Sequence, residues 1–368
     1  MFTRFHGFDL HKRYATISVR DENGKEIRFL KKCTELQTYI NGLTEKDIVV
    51  IEALNNAFFW ADEIEKHGAT CVIVDPHKFK IICDSWSKTD KKDSAKLSLA
   101  LWMSVTRHEF KLPAVYKPSL VIRELRRLFA EYDLINRQVR QYKNVIQAHL
   151  TENGIVLSST MKERLFNPKR GLEVFETLNI THTTRLCIIM NIYLLWNLND
   201  QKEIIKREIL KAGITLEDQV KLLITIKGVT PFLALAFLAD IGDITRFSSS
   251  RKFNAYLGVV PTVKSSGGKT RLGSINKQSR NLSRSLFTQI VPHFANSAGH
   301  LNEFFENTKE RRGVARSRIA MLRKLFTIMR SMLLNNEEFR WKDDANYHNK
   351  LVDYELEKRK IAALAESA

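Results

Sequence analysis

The fold is decided by two short stretches, Arg4-Phe5-His6-Gly7-Phe8-Asp9-Leu10 and Ile48-Val49-Val50-Ile51-Glu52. The first is a short alternating run. The second is a continuous apolar run, which is typical of a strand covered on both faces of a sheet. An acid stands at or next to the end of each run. The sequence therefore predicts two strands that each deliver a carboxylate to the end of a sheet.

The segments around these runs alternate between strand and helix patterns. The turn signal Asp21-Glu22-Asn23-Gly24 predicts that the first three strands form an antiparallel meander, and Asp75-Pro76 is predicted to stop the last strand. Predicted strands cover residues 4–10, 14–20, 25–30, 48–51 and 70–74, and predicted helices cover 36–43, 56–67 and a segment from 89 past 102. The order β-β-β-α-β-α-β-α is that of an α/β ribonuclease-H-like domain, which we assign to residues 1–110.

The next part of the chain, residues 111–215, is predicted to be a helical connector. It begins with Lys111–Pro118, which holds two prolines. Its long helix carries apolar residues at spacings of three and four, a heptad seam formed by Leu125, Leu128, Tyr132, Ile135, Val139, Tyr142 and Ile146. The seam indicates either coiled-coil pairing, within the chain or between subunits, or an amphipathic helix that lies on the first domain.

Residues 216–368 are predicted to form a mainly α-helical domain. Its turn Ile226–Pro231 resembles a helix-hairpin-helix element, in which Gly228 would let the backbone approach a phosphate; the alternative is an ordinary helical hairpin. Residues 262–330 hold 14 Lys or Arg against 3 Asp or Glu. This density, interleaved with aromatic rings, is interpreted as a nucleic-acid surface. The rings are Phe287, Phe294, Phe304 and Phe305.

The composition of the 368-residue chain favours a polyanionic partner, because 59 Lys and Arg against 41 Asp and Glu give a formal charge of +18. Nucleic acid is a commoner partner of this kind than an anionic membrane. The longest apolar run, Leu186–Trp196, is shorter than the roughly 20 residues that span a bilayer, and Met1–Leu10 has no signal-peptide pattern. The four cysteines form no close pair, which disfavours a zinc knuckle and a disulfide framework. We expect a cytoplasmic protein.

Four acids occupy positions that suit one metal site: Asp9 and Glu52 at strand ends, and Asp90 and Asp93 three apart on a predicted helix. Clustered carboxylates repel one another unless a cation neutralises them, and oxygen ligands suit Mg²⁺ or Mn²⁺. Two such ions about 4 Å apart can stabilise both the entering and the leaving oxygen of a scissile phosphate. The alternative is that these acids are solvated charges, the helical pair being favoured by the helix dipole.

Eight stretches, in one order along the chain, carry a resemblance to a known family. They are Gly7–Lys12, Glu52–Ala53, Val74–Pro76, Lys88–Ser94, Ile226–Pro231, Ala239–Ile244, Ala255–Pro261 and Ser265–Lys269. In them the sequence resembles the DEDD-type insertion-sequence transposases, a family that includes the pilin-inversion DNA recombinase. It departs from the family at Ala53–Ala57, where Thr-Gly-Gly-Tyr is usual, and at Asn276–Asn281, where a Lys-Arg-Gly-Asn tract is usual.

The resemblance implies a RuvC-like N-terminal domain and a C-terminal transposase domain with a nucleophilic serine. The implied metal-binding and catalytic acids are Asp9, Glu52, Asp90 and Asp93. The implied nucleophile is Ser266, with Ser265 as second choice, whereas composition alone favours a mobile Gly/Ser loop without chemistry. The basic residues expected to contact nucleic acid near this loop are Lys264, Lys269, Arg271, Lys277, Arg280 and Arg284.

The predicted function is that of an RNA-guided DNA recombinase in the bacterial cytoplasm, associated with the nucleoid. The resemblance implies double-stranded target and donor DNA and a structured guide RNA that pairs with both. We expect at least a homodimer, with a tetramer in the synaptic complex and the seam Leu125–Ile146 as candidate contact. The serine and the metal site are expected to act on the same phosphodiester. Two alternatives are a metal-dependent endonuclease of Holliday-junction type that uses water and a nucleic-acid-binding protein without activity.

Overall fold

The computed structural model describes residues 1–82, 90–168, 170–266, 269–275 and 281–366. The chain divides into two compact units, Met1–Lys117 and Pro118–Ala368. Within the described ranges, no helix is both long enough and apolar enough to cross a membrane.

The first unit is built on a mixed five-stranded sheet in the order β3-β2-β1-β4-β5. Its strands are β1 (Arg4–Leu10), β2 (Ala15–Arg20), β3 (Glu26–Cys33), β4 (Asp47–Glu52) and β5 (Thr70–Val74). Strands β1 to β3 form the predicted antiparallel meander, whereas β4 runs parallel to both β1 and β5. The helices are α1 (Leu36–Asn41), α2 (Ala57–Lys66), α3 (Pro76–Ile82) and α4 (Asp90–Trp102), followed by a π-helical turn at Met103–Arg107.

The central strands are covered on both faces, as the apolar run of β4 predicts. Phe8 and Ile51 lie in the core beneath α1 and α2. Phe5 and Val50 point the other way and lie in the core beneath α4. The period of two along each strand therefore assigns every second residue of β1 and β4 to the α4 face.

The Asp75-Pro76 pair does more than stop β5, because it also begins α3. The Oδ1 atom of Asp75 accepts hydrogen bonds from the backbone N–H groups of His77 (3.0 Å) and Lys78 (3.3 Å). Proline suits the first helical position, where its missing N–H costs nothing. The sequence therefore held a helix start signal where we predicted only the end of a strand.

The predicted connector begins as part of the first unit. The N–H of Val115 donates to the carbonyl of Ile73 (2.7 Å), and the N–H of Asp75 donates to that of Pro113 (3.0 Å). These bonds cover the outer edge of β5, which would otherwise expose unpaired backbone groups. The first unit consequently extends to Lys117. The separation of a connector, residues 111–215, from a domain at 216–368 stays a prediction.

The second unit is mainly helical, with one small hairpin of strands. Its helices are α5 (Leu120–Glu152), α6 (Ser159–Phe166), α7 (Gly171–Glu176), α8 (His182–Ala212), α9 (Glu217–Leu223), α10 (Pro231–Ile241), α11 (Ser250–Tyr256), α12 (Leu282–Phe287), α13 (Val291–Ala295), α14 (Gly299–Arg312), α15 (Val314–Asn335) and α16 (Asp344–Glu366). The hairpin consists of β6 (Pro261–Ser266) and β7 (Lys269–Ile275).

The heptad seam of α5 packs against α8 of the same chain. Ile135, Val139 and Ile146 share a core with residues of α8, and Leu125 lies in a second core that contains Ile209 of α8. These seam residues are 7% exposed or less. These contacts are those of a helix pair within the chain, and the four buried residues are not available to a second subunit. Coiled-coil geometry stays a prediction.

The aromatic residues of the basic stretch belong to the core. Phe287 and Phe294 are fully buried and Phe305 is 8% exposed. The ring of Phe287 lies 5.8 Å from that of Phe237, and Phe304 is partly buried against the same core. The interpretation of these rings as part of a nucleic-acid surface was therefore wrong, because the apolar faces of α12 to α14 account for their spacing.

An ion pair between a buried aspartate and a partly exposed arginine holds the start of β4 beside the start of β1. Asp47, which is fully buried, accepts two hydrogen bonds of 2.6 Å from Arg4 and further ones from Thr44. His6 donates from Nε2 to Asp47 (2.8 Å), and its Nδ1 lies 2.9 Å from the hydroxyl of Tyr39. Burial alone would raise the pKa of Asp47, but the hydrogen bonds from His6, Arg4 and Thr44 outweigh it and hold that pKa well below its usual range.

Replacement of this carboxylate should destabilise the first unit in a pH-dependent way. Since the pKa of Asp47 is lower in the folded state, its contribution is present above about pH 4 and is lost as the pH falls below that value. We expect Asp47→Asn to lower the free energy of unfolding at pH 7 by about 3 kcal/mol. Urea titrations at several pH values would test this; a difference from the wild type that did not shrink in acid would contradict it.

Candidate active site and nucleic-acid interface

Parallel pairing brings two of the predicted acids to neighbouring positions. In β1 and β4, Phe8 pairs with Ile51, and the next residues along the two strands are Asp9 and Glu52. Both belong to the face that α4 covers, because they follow Phe5 and Val50 at even spacing. Neighbouring strands lie about 4.8 Å apart, so the two carboxylates start from adjacent backbone positions.

Helix α4 begins above the same end of the sheet. Its far end is tied to the β2–β3 turn, because Trp102 Nε1 donates to the carbonyl of Glu22 (2.9 Å). Its middle is tied to β2, because the hydroxyls of Ser98 and Ser18 lie 2.9 Å apart, and Ser18 pairs with Gly7. The helix axis runs from Trp102 past Ser98 toward the start of the helix. The first turn of α4 therefore lies at the end of β1 that carries Asp9.

The close fit of α4 on β1 depends on a glycine. A Cβ atom at Gly7 would lie 2.3 Å from the carbonyl oxygen of Ser94 and 2.4 Å from the backbone nitrogen of Ser98. No side chain fits there without a shift of the helix backbone. Gly7 therefore sets how near the first turn of α4 comes to Asp9.

The structure describes the side chains of only some of the four predicted acids. Asp93 is partly exposed on the first turns of α4, whereas the side chain of Asp90 lies outside the described part of the chain. Among the described residues, no group of three or more His, Cys, Asp or Glu is arranged to hold a metal ion. The arrangement thus supplies donors of the type that hard cations prefer, at one end of the sheet, without a closed set of ligands.

A histidine that the sequence did not single out lies beside the first acid. The Nε2 atom of His11 is 3.3 Å from Oδ2 of Asp9, whose side chain is 19% exposed. His11 follows β1 directly, and its ring packs on that of Tyr14 with the centroids 4.4 Å apart. The cue to His11 in the sequence was its position two residues after Asp9.

The predicted nucleophile lies at the end of a strand. Ser266 is the last residue of β6 and pairs with Lys269, while Lys264 pairs with Arg271. Paired positions of an antiparallel hairpin share a face, and residues two apart also share it. Positions 264, 266, 269 and 271 therefore lie on one face of the hairpin and position 265 lies on the other. Lys277 and Arg280 lie outside the described residues.

Arg284 has a partner within the protein. Its Nη1 atom donates to the carbonyl of Gly258 (3.0 Å), so this guanidinium helps to hold the segment before β6. The two helices and the turn predicted around Gly228 are present as α9, a turn and α10, with Gly228 at φ +86°. Whether the element is a helix-hairpin-helix or an ordinary helical hairpin stays a prediction. A Cβ at Gly228 would lie 3.0 Å from Cβ of His293, so α13 packs closely against this turn.

One buried acid of the second unit had no predicted role. Asp240, which is 1% exposed, accepts hydrogen bonds from the backbone N–H and the hydroxyl of Ser283, both at 2.7 Å. Its carbonyl accepts from the hydroxyl of Tyr256 (3.0 Å) and from Arg126 (3.1 Å). Asp240 thereby anchors α12. An acid inside the otherwise apolar helix α10 was the signal in the sequence.

An exposed basic tip is formed where α14 meets α15. Its members, all exposed, are Arg311, Arg312, Arg316 and Arg318. The turn between the helices is made by Gly313, at φ +80°. Within the described part of the chain, no ion pair joins these four arginines to an acid. We refer to them as the arginine tip.

Comparisons with known proteins point to one class. Residues 220–306 match the family model described as Transposase IS116/IS110/IS902 family. The chain is 25% identical over 341 residues to a transposase for insertion sequence element IS1111A of Coxiella burnetii, and the match covers 91% of this chain and 90% of the relative. It therefore extends across both units.

Two further relatives have the same kind of description. A probable family 20 transposase of Pseudomonas aeruginosa is 24% identical over 297 residues, which cover 78% of this chain and 83% of the relative. A transposase for insertion sequence element IS1328 of Yersinia enterocolitica is 26% identical over 293 residues, covering 77% of this chain and 82% of the relative. The resemblance to insertion-sequence transposases is thus supported by the family model and by the individual relatives.

Gly7→Ala should weaken the first unit, because the added Cβ meets backbone atoms of α4 rather than a flexible side chain. We expect the free energy of unfolding to fall by about 3 kcal/mol, as measured by chemical denaturation. Gly299→Ala is the matched control, since a Cβ there has no neighbour within 4 Å. Equal stability of the two variants would show that α4 does not approach β1 this closely.

Proposed function

We propose that this protein is an insertion-sequence transposase that cuts and rejoins DNA strands. The observation that carries the proposal is the likeness, over 91% of the chain, to a relative described as a transposase. The adjacent strand-end acids of the first unit and the basic hairpin of the second agree with it, because phosphoryl transfer needs both charge neutralisation and a bound backbone.

The first unit is proposed to be a ribonuclease-H-like, RuvC-like domain that holds Mg²⁺ or Mn²⁺. The neighbouring positions of Asp9 and Glu52, beneath the start of α4, support this assignment. The proposed ligands are Asp9, Glu52, Asp90 and Asp93. When bound, the cations would neutralise the scissile phosphate and lower the pKa of the attacking hydroxyl.

The second unit is proposed to supply the nucleophile, Ser266. Its Oγ would attack the phosphorus, the P–O3′ bond would break, and the serine proton would leave to a general base while the 3′ oxygen takes up a proton. The product is a 5′-phosphoserine link, and attack by another 3′-hydroxyl reverses the step and releases the serine. The hairpin register favours Ser266 over Ser265, because only position 266 shares a face with Lys264, Lys269 and Arg271.

The proposed partners are target and donor DNA and a structured guide RNA. Base pairing by the RNA would supply sequence specificity, so that the protein needs to bind only backbone and helix shape. The arginine tip suits this task, because its four guanidinium groups are exposed and have no acidic partner among the described residues. The proposed assembly is a dimer or a larger oligomer whose contact lies elsewhere than the buried α5 seam.

Substitution of the serine and of one acid tests the mechanism. With a labelled DNA substrate and the copurified RNA, the wild type should form a denaturant-resistant protein–DNA adduct in Mg²⁺. Ser266→Ala should lose the adduct by at least about 1000-fold, as expected when a nucleophile is removed. Asp9→Asn should lose strand cleavage and its dependence on divalent ions together.

Ser265→Ala is the matched control and should keep the adduct. An adduct that persists in Ser266→Ala would remove this serine from the mechanism. Cleavage by the wild type without any adduct would instead support the metal-dependent endonuclease that uses water.

Neutralising the arginine tip should weaken binding to duplex nucleic acid without regard to sequence. We replace its four arginines by glutamine and plot the logarithm of the DNA-binding constant against the logarithm of the salt concentration. The slope should become shallower by about 0.9 for each lost phosphate contact, and by roughly 2–4 in total. Fluorescence anisotropy with a random duplex at several salt concentrations measures this slope.

A control of equal charge change separates the tip from net charge. It replaces four exposed lysines of the first unit by glutamine: Lys31, Lys32, Lys46 and Lys66. This control should change the slope by less than one. Equal effects of the two quadruple variants would show that the tip has no special role.

A further inference from the structure

The turn between α9 and α10 binds the charged end of a partly buried lysine from the last helix. Lys350 of α16 donates hydrogen bonds to the backbone carbonyl oxygens of Ile224, Ile226 (2.8 Å) and Val229 (3.2 Å). A lysine ammonium has three N–H donors and no acceptor. All three donors are therefore matched by carbonyl oxygens of one turn.

The surroundings of this ammonium are apolar. Ile224, Ile226 and Val229 are fully buried. Burial lowers the pKa of Lys350 to about 8, while the charge of Asp343 acts to raise it. The side chain consequently keeps its positive charge at neutral pH, in a place where an uncompensated charge would be costly.

A converging set of carbonyl oxygens around one positive charge is the environment that proteins use for monovalent metal ions. The ammonium group is compact and similar in size to K⁺. The three carbonyls come from a segment of six residues, so the chain must turn sharply to aim them at one point. Without a cation, their aligned dipoles would repel one another.

The same geometry orients the outer side of the turn. In a trans peptide, the C=O of one residue and the N–H of the next point in opposite directions. Because the carbonyls of Ile226 and Val229 point inward at Lys350, the N–H groups of Lys227 and Thr230 point away from it. Lys227 is partly exposed and Thr230 is exposed.

We propose that Lys350 acts as a built-in cation: its ammonium occupies a three-carbonyl site that would otherwise take a monovalent metal ion, and it positions the α9–α10 turn for nucleic acid. The second half rests on the proposed function, since it assumes that the second unit binds DNA or RNA. Lys350 is a positioning residue, because it acts through the backbone of the turn.

Removal of the ammonium should open the site to small cations. In choline chloride at an ionic strength of about 0.15 M, Lys350→Ala should lower the unfolding midpoint by roughly 5 °C. Replacing choline by K⁺ or methylammonium should restore at least half of this shift. The wild type should show no such preference between cations.

Two matched variants separate this effect from loss of a lysine. Lys358→Ala removes an ammonium from the same helix, but the partners there are the carboxylates of Glu217 and Glu355, so no carbonyl site is left. Lys350→Met keeps the length of the side chain and fills the space. Neither variant should prefer K⁺ or methylammonium to choline. Should Lys350→Ala fold only when K⁺ is present, that result would also support the proposal.

If no small cation restores Lys350→Ala, or if Lys358→Ala responds equally, Lys350 does not occupy a cation site. If stability recovers, the affinity of Lys350→Ala for duplex DNA tests whether Lys350 positions the turn for nucleic acid. This affinity should be about ten-fold lower than that of the wild type in choline and should return with K⁺. An unchanged affinity would refute the positioning role. If the wild type itself binds no nucleic acid, the proposed function fails, whereas the stability result still decides the cation site.

Discussion

The candidate site of the first unit depends on one steric constraint: β1 has no side chain at Gly7. Because nothing projects there, the backbone of α4 lies directly on the strand, with the carbonyl oxygen of Ser94 only 2.3 Å from where a Cβ would be. This contact fixes the height of the helix above the sheet. The parallel pairing of β1 with β4 fixes the positions of the two acids within the sheet, since it brings Asp9 beside Glu52.

Local patterns in the sequence were sufficient for most of the first unit. The predicted bounds of β1 and β5, residues 4–10 and 70–74, are those of the structure. These strands succeed as predictions because strand propensity, turn residues and the burial of both faces all favour the same assignment. The antiparallel meander was predictable for the same reason, with Gly24 at a positive φ in the turn between β2 and β3.

The features that were missed depend on partners distant in sequence. The edge pairing of Val115 with Ile73 and the contact of Lys350 with a turn more than a hundred residues away leave no local pattern. Asp240 stands out in its apolar helix, but nothing local indicates Ser283 as its partner. The α5 seam shows the same limit. Its period correctly predicted an apolar stripe, but a period does not say which helix covers the stripe, and α8 does so here.

Single buried polar groups join the separate segments of each unit. Asp47 connects the starts of β1 and β4, and Asp240 connects α10 to α12. In both cases a carboxylate accepts several hydrogen bonds at once, so that its burial is compensated. Such groups define one arrangement among the many that an apolar core alone would tolerate.

The burial of Phe287, Phe294 and Phe305 bears on how the basic stretch could read a nucleic acid. Recognition of individual bases on single strands commonly uses aromatic rings as stacking platforms, and these three rings are committed to the interior. The arginine tip in the same stretch presents four exposed guanidinium groups. If the second unit binds DNA, as proposed, guanidinium groups that contact phosphates would fix its position on a duplex without reading the order of the bases.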